Sequence, residues 1–89
     1  MVKAFGSITF NGQEYVMLEP EVMDNNRFGE AAYFARAAKS SDEPDEDGFV
    51  PYYLIEWPVL NEHGEANWNK PERISGPEGL YSIKEDRFI

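Results

Sequence analysis

The chain has 89 residues, 42% of them hydrophobic and 15% aromatic, with 17 acids against eight bases and a net charge of −9. That length supports one domain with an economical core, and the aromatic content excludes an intrinsically disordered chain despite the charge. No cysteine is present, which removes disulfides and thiolate metal sites and favours a cytoplasmic address; too few clustered bases exist for direct nucleic-acid contact, and no apolar run is long enough to span or enter a membrane.

The opening "MVKAFGSITF" has no apolar stretch of signal-peptide length. Within "AFGSITFNGQEYVML", Asn11-Gly12 lies between two apolar-rich runs and predicts a two-residue hairpin turn. That register pairs Phe10 with Gln13 and Ile8 with Tyr15, and gives Ile8, Phe10, Tyr15 and Met17 the better core face. Pro20 and Asn25-Asn26 then read as a strand end and a loop.

The segment "EAAYFARAAKSS" is ambiguous. Its alanines favour a helix, with Phe28, Ala31, Ala32, Ala35 and Ala38 at helical spacing and Asn26 as its N-cap. Alternation supports a strand instead, with Tyr33, Ala35 and Ala37 facing one way. "VPYYLIEWPVL", Val50 to Leu60, predicts a strand, because β-branched and aromatic residues dominate it. Pro51, Tyr53, Ile55, Trp57 and Val59 share an apolar face; Val50, Tyr52, Leu54, Glu56 and Pro58 share the other. After the turn "NEHG", "ANWNKPERI" reads as a short strand stopped by Pro71, and the tail as turn-rich before a last short strand or helical turn. No internal repeat is evident.

The order "AYFARAAKSS", acidic loop, "YYLIEW", turn, "NWNKPERI" resembles chromo- and tudor-type SH3-like barrel modules over about residues 30–75. The resemblance implies that residues 33–39 form a strand antiparallel to 50–57, with the acidic run as the hairpin loop. It also implies a binding module, and in several such domains aromatic rings cage a cationic side chain. Tyr52, Tyr53, Trp57 and Trp68 are the positions that match this role. Of these, Tyr52 and Trp68 are expected at the surface and Trp57 in the core.

Charge is concentrated. "SSDEPDEDGF" holds Asp42, Glu43, Asp45, Glu46 and Asp47, and no Lys or Arg occurs between Lys39 and Lys70, an interval that also contains Glu56, Glu62 and Glu65. At about 3.3 Å per residue, a strand over Val50 to Leu60 separates the acidic loop from the second turn by roughly 30 Å, giving an acidic edge with two poles. Such a field attracts a basic protein or basic peptide. A calcium loop fails its own motif: with Gly48 at loop position 6, position 12 falls on Leu54, so no metal or other cofactor is expected.

Catalysis finds little to draw on. His63 is the lone histidine and sits in a turn, the serines lack a histidine partner at triad spacing, and the carboxylates sit on a loop expected to be flexible and solvated. The expected molecule is therefore a single, mostly β domain, an SH3-like barrel or curled antiparallel sheet, with α+β and a helix at about 26–39 as the alternative. Its expected function is non-enzymatic binding of a basic protein surface, extending to inhibition of a nucleic-acid-binding protein by charge mimicry. Small acidic proteins that bacteriophages and mobile elements use against nucleic-acid-handling enzymes are similar in size and charge. The competing expectations are an aromatic-cage reader and an accessory or structural subunit with a solubilising loop.

Overall fold

A computed structural model describes residues 5–89, so the reading of the first four residues as part of no apolar leader lies outside it. The described residues form seven strands and no helix: β1 Ser7–Phe10, β2 Gln13–Met17, β3 Val22–Asn25, β4 Ala31–Lys39, β5 Phe49–Pro58, β6 Arg73–Ser82 and β7 Arg87–Phe88. All pairings are antiparallel. The path β1-β2-β4-β5-β6-β7 does not close on itself, so the sheet is curled and not a barrel.

The first hairpin has the expected register, Phe10 opposite Gln13 and Ile8 opposite Tyr15. Asn11 at φ 51° and Gly12 at φ 79° supply the two left-handed residues that such a turn requires. Ile8 and Tyr15 are buried in the main core, with Phe10 and Met17 packed against it.

The strand expected over 33–39 is present within β4, antiparallel to β5, and the alternative helix at 26–39, which local composition favoured, does not form. Ala32, Ala35, Ala37 and Ala38 are all buried, and alternation divides them between two faces. Ala35 and Ala37 join Ile55 and Trp57 in one cluster, while Ala38 joins Leu18, Val50 and Tyr81 in the other. In a central strand with layers on both faces, methyl side chains leave room for the rings of neighbouring strands. Tertiary packing thus overrides intrinsic preference.

β2 and β3 share one edge of β4, β2 against Ala37–Lys39 and β3 against Ala31–Phe34. β3 replaces part of the loop expected there. Between the two strands the chain leaves the ladder near Pro20, which has no N–H to offer. Leu18 still donates its N–H to the Arg36 carbonyl at 2.9 Å. The Arg36 N–H, with no strand partner there, is taken by the Glu19 carboxylate at 3.0 Å.

β6 corrects two further expectations. Residues 59–72 form an irregular connection, and the strand begins after Pro71 instead of ending there. It continues through Gly76-Pro77 by a bulge: Tyr52 opposes Gly79 and Leu54 opposes Ser75, so Tyr53 faces three residues. A bulge is where a strand can hold a proline.

Candidate functional site

Three loops share one construction that sequence reading missed. In "NRFGE", "DEDGF" and "NEHGE" an Asn or Asp stands three residues before a glycine. The Oδ1 of Asn26 accepts N–H bonds from Phe28 and Glu30, that of Asp45 from Asp47 and Phe49, and that of Asn61 from His63 and Glu65. In each loop the glycine donates back to the carbonyl of the same Asn or Asp. Gly29, Gly48 and Gly64 have φ of 78°, 83° and 77°, a conformation that costs other residues strain. Asn and Asp favour the first position of such turns because the side chain bonds the backbone two residues on. The signal was an Asx-x-x-Gly pattern recurring at three loops.

Residues 45–49 of the acidic loop accordingly form a hydrogen-bonded turn. Asp45 donates its N–H to the Phe49 carbonyl at 2.9 Å, Asp42 to Lys39 at 3.1 Å, and Ile83 to Gly48 at 3.0 Å. The five carboxylates have different surroundings. Asp45 is engaged by its own turn, and Asp42 is half-buried with Oδ2 shielded from water and without a hydrogen-bond partner. Glu43, Glu46 and Asp47 are exposed and form no side-chain hydrogen bond or ion pair among the described residues. Glu46 and Asp47 lie within the hydrogen-bonded turn, and Glu43 precedes it.

The second acidic turn lies beyond the other end of β5. Glu62 is exposed, and Glu65, also exposed, accepts a bond from Asn61 Nδ2 at 3.2 Å. His63 is exposed in the same turn. Tyr33 donates its hydroxyl to the Gly64 carbonyl at 2.5 Å, tying the turn to the core.

Glu56 departs from the acidic edge. Only 5% of it is exposed, and its carboxylate lies beside Asn26 and Arg73. These residues line a groove of about 380 Å³ formed by the Asn26–Glu30 loop, the end of β5 and the start of β6.

The aromatic positions do not assemble into one cage. Alternation along β5 sends Tyr53 and Trp57 to one cluster and Tyr52 to the other. Trp57 is fully buried and donates its indole N–H to the Trp68 carbonyl at 3.0 Å. Trp68, 40% exposed, packs its ring against Trp57 at 5.3 Å and Tyr33 at 4.9 Å.

The chain's own cations already cover two of these rings. Arg36 lies 3.5 Å above the Phe88 ring centre and 5.8 Å from that of Tyr52, while Lys39 stands 4.9 Å from Tyr53. The Arg36 guanidinium also grips Glu19 through bonds of 2.8 and 2.7 Å. That grip holds the Glu19 carboxyl below, and Arg36 above, its ordinary value.

Among the described residues no group of three or more His, Cys, Asp or Glu side chains is arranged to hold a metal ion. Among the described residues no helix is long and apolar enough to cross a membrane. No protein-family model matches the chain, and neither the curated proteins nor the solved structures compared with it gave a match.

Proposed function

We propose that this protein is a non-enzymatic interaction module that engages a basic protein surface through its acidic β4–β5 loop. The observation that carries this reading is the exposure of Glu46 and Asp47 on a turn whose backbone is already hydrogen-bonded, with exposed Glu43 just before it. Charges held in place before binding lose less conformational entropy than charges on a mobile loop, and they steer a cationic partner during encounter. With Glu62 and Glu65 beyond the far end of β5, the module offers two acidic poles in the manner of spaced phosphates. This favours a partner whose basic groove ordinarily takes nucleic acid.

The cage reading, with its likeness to chromo and tudor modules, draws support from Trp68, the exposed ring on the Tyr33 side. It is weakened by the internal cations on Tyr52 and Tyr53. Binding from host lysate at low and moderate salt, comparing wild type with a variant carrying amides at Asp42, Glu43, Asp45, Glu46 and Asp47, separates the readings. Loop recognition predicts a basic partner held by the wild type alone and released by salt. Retention of the same partner by both chains, combined with its loss on Trp68→Ala, would instead assign binding to the aromatic surface.

A further inference from the structure

We propose that the groove under the Asn26–Glu30 loop seats one basic side chain of the partner, with Glu56 as its counter-ion and Arg73 as the internal cation that it displaces. This deepens the basic-partner reading and rests on it.

Glu56 carries the argument. A carboxylate removed from water normally accepts several hydrogen bonds, because desolvating its charge is otherwise costly. Here the side chain is 7% exposed, yet Oε2 accepts one long bond from Asn26 Nδ2 at 3.4 Å. Oε1 is shielded from water and accepts none. Arg73 Nε stands 3.2 Å from Oε1, but its N–H is not aimed at that oxygen, so the pair is an ion contact without a hydrogen bond. The Arg73 side chain is itself 43% exposed, leaving it room to swing out. A better-aligned guanidinium or ammonium would give Glu56 the charge-assisted bond that Arg73 does not.

The rest of the groove suits that occupant. At about 380 Å³ it lies near the small end of ligand clefts, fit for one long side chain more than for a large ligand. Ala31, Pro58 and Val59 offer apolar wall to an aliphatic stem, and Phe28, 70% exposed, stands at the rim. Glu30 and Glu72 add negative charge, while Arg27 lies 4.8 Å above the Phe28 ring. An anionic occupant would have to approach the buried Glu56 carboxylate, and is disfavoured.

The test is an NMR titration of the full chain with acetyl-Gly-Arg-Gly-amide and with its citrulline counterpart, which keeps the shape and loses the charge. The arginine peptide is expected to shift the amides of Arg27–Ala31, Glu56 and Arg73, and to bind about tenfold more tightly than the citrulline peptide, the factor that one charge-assisted bond supplies. Glu56→Gln should remove that preference, and Arg73→Ala, which vacates the seat, should bind the arginine peptide more tightly than wild type. If Glu56→Gln does not fold, Arg73→Ala decides alone, and unchanged or weaker binding overturns the proposal. Equal binding of the two peptides also overturns it. Shifts confined to residues 42–47 would sink the groove while sparing the basic-partner reading, and no shift in either region at millimolar peptide would sink both.

Discussion

The Asp45 and Asn26 loops are built alike and face the solvent differently. In both, one side-chain oxygen holds the N–H groups two and four residues on, and a left-handed glycine closes the turn. Around Asp45 the intervening residues are Glu46 and Asp47, and the result is an exposed acidic tip. Around Asn26 they are Arg27 and Phe28, and the same backbone roofs a groove over Glu56. Turn chemistry sets the backbone, while the two residues inside the turn and the strand ends beneath it set what the surface can bind.

The third loop of this kind, around Asn61, sharpens the comparison most. A Cβ added to Gly64 would come within 3.1 Å of the Tyr33 hydroxyl, which already bonds the Gly64 carbonyl. Gly64→Ala combines left-handed strain with damage to that bond and should cost about 2–3 kcal/mol in chemical denaturation. Gly29 has no atom within 4 Å of such a Cβ, and Gly48 has only the Lys84 Cβ at 3.8 Å. Gly29→Ala and Gly48→Ala should therefore show the strain alone, about 1–2 kcal/mol each. A penalty at Gly48 far below that at Gly29 would mean that the acidic loop is less firmly built than its sibling.

Next in size is the side-chain half of the turn. Asp45→Ala deletes two backbone bonds and should cost about 1 kcal/mol. Asp45→Asn should stay within about 0.5 kcal/mol, because Asn26 and Asn61 perform the same task with an amide. A large loss for the Asn variant would show that the carboxylate charge, and not the turn geometry, holds the loop.

The pH-dependent effects lie away from both loops, and the acid-side one is the smallest. Arg36 depresses the Glu19 carboxyl below its ordinary 4.5, chiefly through side-chain bonds. A depressed folded value means that the stabilisation is present above about pH 4.5 and is lost as pH falls through the lower, folded value. Acid titration of stability should show a shallower decline for Glu19→Gln, the effect being limited because water reaches both partners. At the alkaline limit Tyr81, 2% exposed, behaves with the opposite sign. Burial, with help from Asp86, pushes its phenol up to about 12. Its contribution is complete below about pH 10 and fades as pH rises toward 12, which ultraviolet titration of the phenol alongside stability would follow.

The legible parts of the fold were those encoded locally. Asn11-Gly12 gave the hairpin and its register, and alternation in Val50–Leu60 gave the two faces of β5, because turn chemistry and the pleat act over a few residues. The same alternation already separated Tyr52 from Trp57, so a cage using both was in conflict with the strand itself. Composition alone left β4 open between helix and strand, because alanine reports helix preference in isolation, whereas here it makes room for rings on both faces; the expected pairing of 33–39 with 50–57 is the one that forms. β3 and the long β6 escaped for another reason. β3 is exposed along its whole length and carries no core pattern, and β6 crosses a proline that reads as a stop until a partner strand absorbs it in a bulge.

The candidate site was legible in its charge and not in its placement. Counting acids located the loop, but burial of Glu56 depends on the 26–30 loop and on Arg73, both distant in sequence.

In the proposed function the β4–β5 loop is the acidic surface that meets a basic partner. The most direct test is an NMR titration with an oligolysine peptide at low and moderate salt, on the wild type and on the five-amide loop variant. Shifts are expected to concentrate at residues 42–47, with an affinity that falls with salt and loss of those shifts in the variant while its turn remains folded through Asn at position 45. Shifts spread evenly over all exposed carboxylates, or equal affinity for the two chains, would contradict it.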